Sequence, residues 1–205
     1  MSLTAALEPA SLDEHLDRLL ALETAADHIH GWHPTLMPGM LQTADYARAA
    51  ITTAAPALPP HDVEKRATGR TVRIDTLGRA AGRTARFVIG ENVLTQPVGG
   101  PATLAAQLDH LMTLLALRPT LEVRILPRGE AHAGLHGPFT VYQGRPGRAV
   151  FIEHLAGTTV INTPEKALSF IHASDNDGRA GGEPGGLASD DRSREKATHP
   201  CVTTN

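Results

Sequence analysis

Apolar residues recur at helical spacing near the start of the chain: Leu12, Leu16, Leu19 and Leu20, with Glu23 in the same stripe. This predicts an amphipathic first helix, opened by the capping box of Ser11 and Glu14. Gly31, Pro34, Pro38 and Gly39 interrupt the pattern, and Thr43 is placed to cap a short helix through Tyr46 and Ile51. After the proline-rich AAPALPPHD, the positions Val63, Ala67, Ile74 and Leu77 fit one face of a third helix, weakened by Gly69. The period then changes to two. Arg86–Glu91 reads as a strand, and QPVGGP (96–101) turns into a helix over Ala102–Leu117 with Leu104, Leu108, Leu111, Met112 and Leu115 on one face. Leu121, Val123 and Ile125 alternate with Glu122 and Arg124 in a further strand. Phe139–Gln143, the turn GRPG and Ala149–Glu153 predict a hairpin, Thr158–Ile161 a further strand, and Thr163-Pro164-Glu165 a helix start.

The pattern is that of an α+β fold, with short antiparallel strands packed with about four helices in a single effector-like domain over residues 1–172. Residues 173–205 are rich in Gly, Asp and Ser, with Leu187 and Val202 as their only large aliphatics. Such a segment buries too little surface to offset its ordering entropy, so it is expected to be a disordered tail.

Composition narrows the function by exclusion. Of 205 residues, 41% are hydrophobic and 20% charged, which excludes a wholly disordered chain. The net charge of −3 argues against binding nucleic acid by bulk electrostatics. Aromatics at 3% are too few for a stacking platform. No apolar run approaches the roughly 20 residues a membrane span needs, and MSLTAALEPASLDEH has neither the basic nor the apolar region of a secretory signal. Cys201 is the one cysteine and has no intrachain partner, which suits a cytoplasmic location. Arginines outnumber lysines 16 to 3, a bias of a GC-rich genome rather than of function.

Four strings taken together carry a resemblance: PGMLQTADYARA (38–49), RFVIGENVL with PVGG (86–100), LEVRILPRGEAHAGLHGPF (121–139) and VFIEHLAG (150–157). In this order they resemble the C-terminal domain of unknown function of actinobacterial, antitoxin-like helix-turn-helix transcriptional regulators, over about Glu23 to Pro164. The resemblance implies a module that senses a small molecule or a small partner protein, sometimes an acidic one, and pairs as a homodimer. The chain departs from the family in having no room for a helix-turn-helix before Ser11, in a closing helix after Pro164 that reads as cut short, with a tail like an unrelated or shifted frame, and in its histidine-rich HIHGWH. The expectation is therefore a sensor that does not itself bind DNA sequence-specifically.

Eleven histidines are many for this length. In an extended segment His28 and His30 point to one face, where imidazoles can share a metal ion. With no cysteine near and further ligands needed from elsewhere, unrelated surface histidines are the better reading, and neither metal nor cofactor is assigned. The loop Glu130–Gly137 sets His132 between glycines, where an imidazole and backbone N–H groups can meet a ligand. Glu91 and Glu153 end apolar strands, where a carboxylate beside a core can act as acid or base or hold a cation. The catalytic candidates are accordingly His132, Glu153 and Glu91; the ligand-binding candidates are Gln42, Tyr46, Gly134 and Phe139. The basic residues of Lys65–Arg86 offer a contact for nucleic acid or an acidic partner, but with no aromatics to support base stacking they read rather as a solvated helix face. Two functions follow: a regulatory small-ligand- or partner-binding domain, or a stand-alone enzyme of specialised metabolism using acid/base chemistry as a cyclase, isomerase or lyase.

Overall fold

In the computed structural model the described residues are 12–78, 82–129, 133–145, 147–154 and 157–175. They form an α+β domain of one six-stranded mixed sheet and five α-helices. The strands are β1 (His28–His33), β2 (Thr84–Gly90), β3 (Leu121–Leu126), β4 (Phe139–Gly144), β5 (Gly147–His154) and β6 (Gly157–Ile161). Their order across the sheet is β3-β2-β1-β4-β5-β6. The sequence pattern predicts antiparallel strands, and the half made of β4, β5 and β6 is antiparallel. The half made of β1, β2 and β3 is parallel instead. The reason is local: helical segments separate each of those strands from the next, and a parallel pair requires such a crossover.

The helices are α1 (Leu12–Ala25), α2 (Ala44–Ala54), α3 (Pro60–Thr71), α4 (Pro101–Leu117) and α5 (Pro164–Asp175). Thr43 caps α2 as its sequence predicts, its hydroxyl accepting from the Tyr46 N–H. Ser11, of the capping box expected for α1, lies outside the described residues, as do the tail residues 176–205. The third predicted helix runs as α3 and then tightens into a 3-10 segment at Arg73–Gly78.

Strand alternation sorts the side chains onto two faces. On one, Ile29, Ala85, Phe87, Ile89, Leu121, Tyr142 and Phe151 join Leu19 of α1, Tyr46 and Ala50 of α2 and Leu104, Leu111 and Leu114 of α4 in the main core. On the other, Trp32, Val88, Leu126, Phe139, Val141 and Val150 pack against α5 through Ala167 and Phe170. The backbone is tightest where α1 hands over to β1. A Cβ on Gly144 would lie 2.2 Å from the Ala25 carbonyl oxygen. Gly144→Ala is expected to lower stability by about 1–3 kcal/mol, read as a lower denaturant midpoint at unchanged slope.

Candidate functional site

The main-core face is not wholly apolar. At the C-terminal end of β1 it carries a cluster of polar side chains around a small cavity. Residues of β1 (His33), β2 (Phe87), β4 (Thr140, Tyr142) and β5 (Phe151, Glu153) form its floor and wall. The segment Pro38–Met40 and Arg73 cover it. Its free space is ≈ 20 Å³, room for a water-sized guest.

Arg73 carries the strongest electrostatic interaction here. Its Nε donates to both oxygens of Glu23, at 2.8 and 3.0 Å, and its Nη2 donates to Oε1 at 2.5 Å. The Glu23 side chain is fully enclosed, and the Tyr142 hydroxyl donates to it at 3.4 Å. Burial pushes the Glu23 carboxyl above its ordinary range while the Arg73 charge pulls it down. Burial likewise works against the Arg73 charge, but Glu23 overrides it and keeps the guanidinium protonated. Burial raises the Tyr142 phenol well above its usual value, so it remains a neutral donor.

A second chain of polar contacts runs along the cover. The Met37 N–H donates to the Tyr46 hydroxyl at 3.3 Å, and Gln42 Nε2 donates to the Met37 carbonyl at 2.7 Å. Gln42 Oε1 in turn accepts from Arg70 Nη1 at 2.9 Å. Arg70 Nη2 faces Glu153 at 4.0 Å, an ion pair too long for a hydrogen bond. Burial draws the Arg70 pKa down, with Glu153 opposing.

His33 completes the set. Its Nε2 meets the Thr140 hydroxyl at 3.3 Å, and its ring lies 5.9 Å from that of Phe87. Burial lowers its pKa to about 4, with Glu153 opposing and Arg73 and Arg70 reinforcing. A histidine depressed in the fold stays neutral where its unfolded counterpart takes a proton. Its contribution is therefore lost as pH falls from 6.5 towards 4, by about 3 kcal/mol at full extent. His33→Gln is expected to remove that part of the acid slope, read as the difference between the two proteins' stability profiles from pH 7 to 4.

Of the residues singled out from sequence, the structure brings Gln42, Tyr46 and Glu153 together. Glu91 stands apart, accepting from the Arg128 N–H at 2.9 Å. Gly134 and Phe139 belong with the α5 side of the sheet. The Gly134 carbonyl accepts from Trp32 Nε1 at 2.6 Å, and the Phe139 ring meets Phe170 edge-on at 5.2 Å. His132 lies outside the described residues. His28 bonds the Thr84 hydroxyl through Nδ1 at 2.8 Å, and alternation places His33 on the opposite face from His28 and His30. Among the described residues no group of three His, Cys, Asp or Glu is placed to hold a metal ion.

The solvated face expected for the arginines near residue 70 does not hold for Arg70 and Arg73. Their side chains keep only 22% and 12% of their exposure. The signal was present: Arg70 fills the vacant position between Ala67 and Ile74 in the apolar stripe of α3, and Glu23 sits in the stripe of α1. A charge in an apolar stripe marks a buried partner rather than a solvent contact.

The chain belongs to the family described as a domain of unknown function (DUF5753), which matches residues 16–176. No curated protein and no solved structure matches it. Among the described residues no helix is long and apolar enough to cross a membrane.

Proposed function

We propose that this domain is a regulatory module that binds a small polar ligand at the cavity between β1, β5 and Arg73, as the sensing part of a transcriptional regulator of the antitoxin-like, actinobacterial kind. One observation carries the reading. His33 of β1, Thr140 and Tyr142 of β4, Glu153 of β5 and Arg73, the last held by Glu23 of α1, converge on one spot of the main core beneath Pro38–Met40. Buried ion pairs contribute weakly to stability compared with a hydrophobic replacement, so a role in recognition accounts better for their presence.

The domain is not itself the DNA reader in this account. The net charge is −3, and two of the arginines that could form a DNA-facing stripe, Arg70 and Arg73, turn inward. The test is hydrogen exchange of the full chain with and without the small-molecule fraction of its host cells. Slower exchange confined to residues 33–42 and 70–73 is expected. Exchange unchanged there contradicts the reading.

A further inference from the structure

We infer that the open edge of β3 is the surface through which two copies of this chain pair, antiparallel about Val123, joining their sheets into one. The inference is independent of the ligand-binding reading above.

β3 stands at one end of the sheet, paired parallel to β2. The Ala85 N–H of β2 donates to the Thr120 carbonyl at 2.9 Å. Backbone groups of successive strand residues point to alternate edges, so Glu122 and Arg124 direct theirs to β2 while Val123 and Ile125 direct theirs away from it. Such an edge is a template for another strand unless its side chains oppose the pairing. Those of β3 favour one. In antiparallel pairing, residues directly opposite share a face and interact, and a two-fold axis applies the same contact twice. With the axis at Val123, Glu122 of each copy lies opposite Arg124 of the other, and Leu121 lies opposite Ile125. With the axis at Glu122 or at Arg124, like charges meet instead, which is destabilising. The backbone agrees with the first register. Val123 exchanges both its bonds with its counterpart, and each Ile125 N–H reaches the Leu121 carbonyl of the other copy. The Leu121 N–H is spent within its own chain, on the Arg118 carbonyl.

Both faces of the edge suit a second copy. On the α5 side of the sheet, the Glu122 carboxylate accepts from Arg86 Nε at 2.9 Å and from Arg124 Nε at 2.6 Å, all three side chains being partly exposed. Pairing sets Arg124 between two carboxylates, its own Glu122 and that of the other copy. The cross-strand row then alternates in sign: Arg86, Glu122, and Arg124 of the other copy. On the opposite side, Ile125 shares the face of Leu121 and Val123 but keeps 50% of its exposure. α4 packs over that face, and its Met112 keeps 66%. Met112 lies on the flank of α4 turned away from Gln107, which is tied to Thr43 and Leu41. Pairing about Val123 covers Ile125 and brings the two α4 helices onto one face of the joined sheet. At the other end of the sheet β6 (GTTVI) carries no charge that could select a register.

The test is sedimentation of the full chain over a range of concentrations, with folding followed by circular dichroism. The parent is expected to be a dimer that dissociates on dilution. Glu122→Arg and Arg124→Glu each set like charges opposite one another across the axis, and each is expected to weaken pairing by about tenfold. Mixed, the two variants are expected to pair with each other, because every opposed position then carries unlike charges. That rescue separates a contact between copies from a defect within one. Ile125→Lys, at a position the fold leaves half exposed, is expected to be folded and monomeric, and it decides the matter if a charge variant does not fold. A parent that is monomeric at every concentration overturns the inference. So do variants that pair as tightly as the parent, and a mixture of folded Glu122→Arg and Arg124→Glu proteins that pairs no better than either alone.

Discussion

Arg73→Met is expected to destabilise the domain by about 3–5 kcal/mol, the cost of stranding a buried charge. The loss comes from what remains behind. Glu23 is fully enclosed on the inner side of α1, and without Arg73 its carboxylate keeps only the 3.4 Å contact with Tyr142. Glu23 must then ionise unpaired or take up a proton, and either route weakens the fold at neutral pH. The companion experiment separates this cause from lost packing. In the double variant Glu23→Leu with Arg73→Met no charge is stranded, so much of the stability is expected to return, and the two losses are strongly non-additive. Urea titrations of the three proteins and the parent measure this. An Arg73→Met protein within about 0.5 kcal/mol of the parent, the ordinary range of a surface substitution, would show that the pair is not an enclosed one.

Gln107→Leu is expected to cost about 3 kcal/mol or more, because it orphans two backbone groups at once. Gln107 lies in α4 with its side chain wholly buried. Its Oε1 accepts from the Thr43 N–H at 2.7 Å, and its Nε2 donates to the Leu41 carbonyl at 2.8 Å. One amide thus ties the end of the cover segment to the core, just before the Thr43 cap of α2. The hydrophobic replacement is similar in size, so packing alone predicts little change. Two readouts check the assignment together: a lower melting temperature and faster hydrogen exchange of the Thr43 amide. Unchanged exchange at Thr43 would show that the amide does not hold this segment.

Helix stripes, strand alternation and caps are local, and α4, β3, the β4–β5 hairpin and the Thr43 cap follow from them closely. Strand order and direction are not local. Nothing in His28–His33 states that it pairs parallel to Thr84–Gly90 on one side and antiparallel to Phe139–Gly144 on the other. That pairing decides the site, because it brings His33, Tyr142 and Glu153 to one face and sends Phe139 and Gly134 to the other. Gln42, Tyr46 and Glu153 were legible as polar groups beside apolar segments. Glu23 sits inside the apolar stripe of α1, which marks a buried partner, but nothing in the periodicity states that this partner is Arg73, 50 positions further on.

The central claim is that this cavity seats a ligand, and native mass spectrometry of the full chain isolated under non-denaturing conditions tests it most directly. The parent protein is expected to carry a bound small molecule that the Arg70→Met protein lacks, with both folded by circular dichroism. A parent protein at its bare sequence mass, or a bound molecule retained equally by the Arg70→Met protein, would contradict the account.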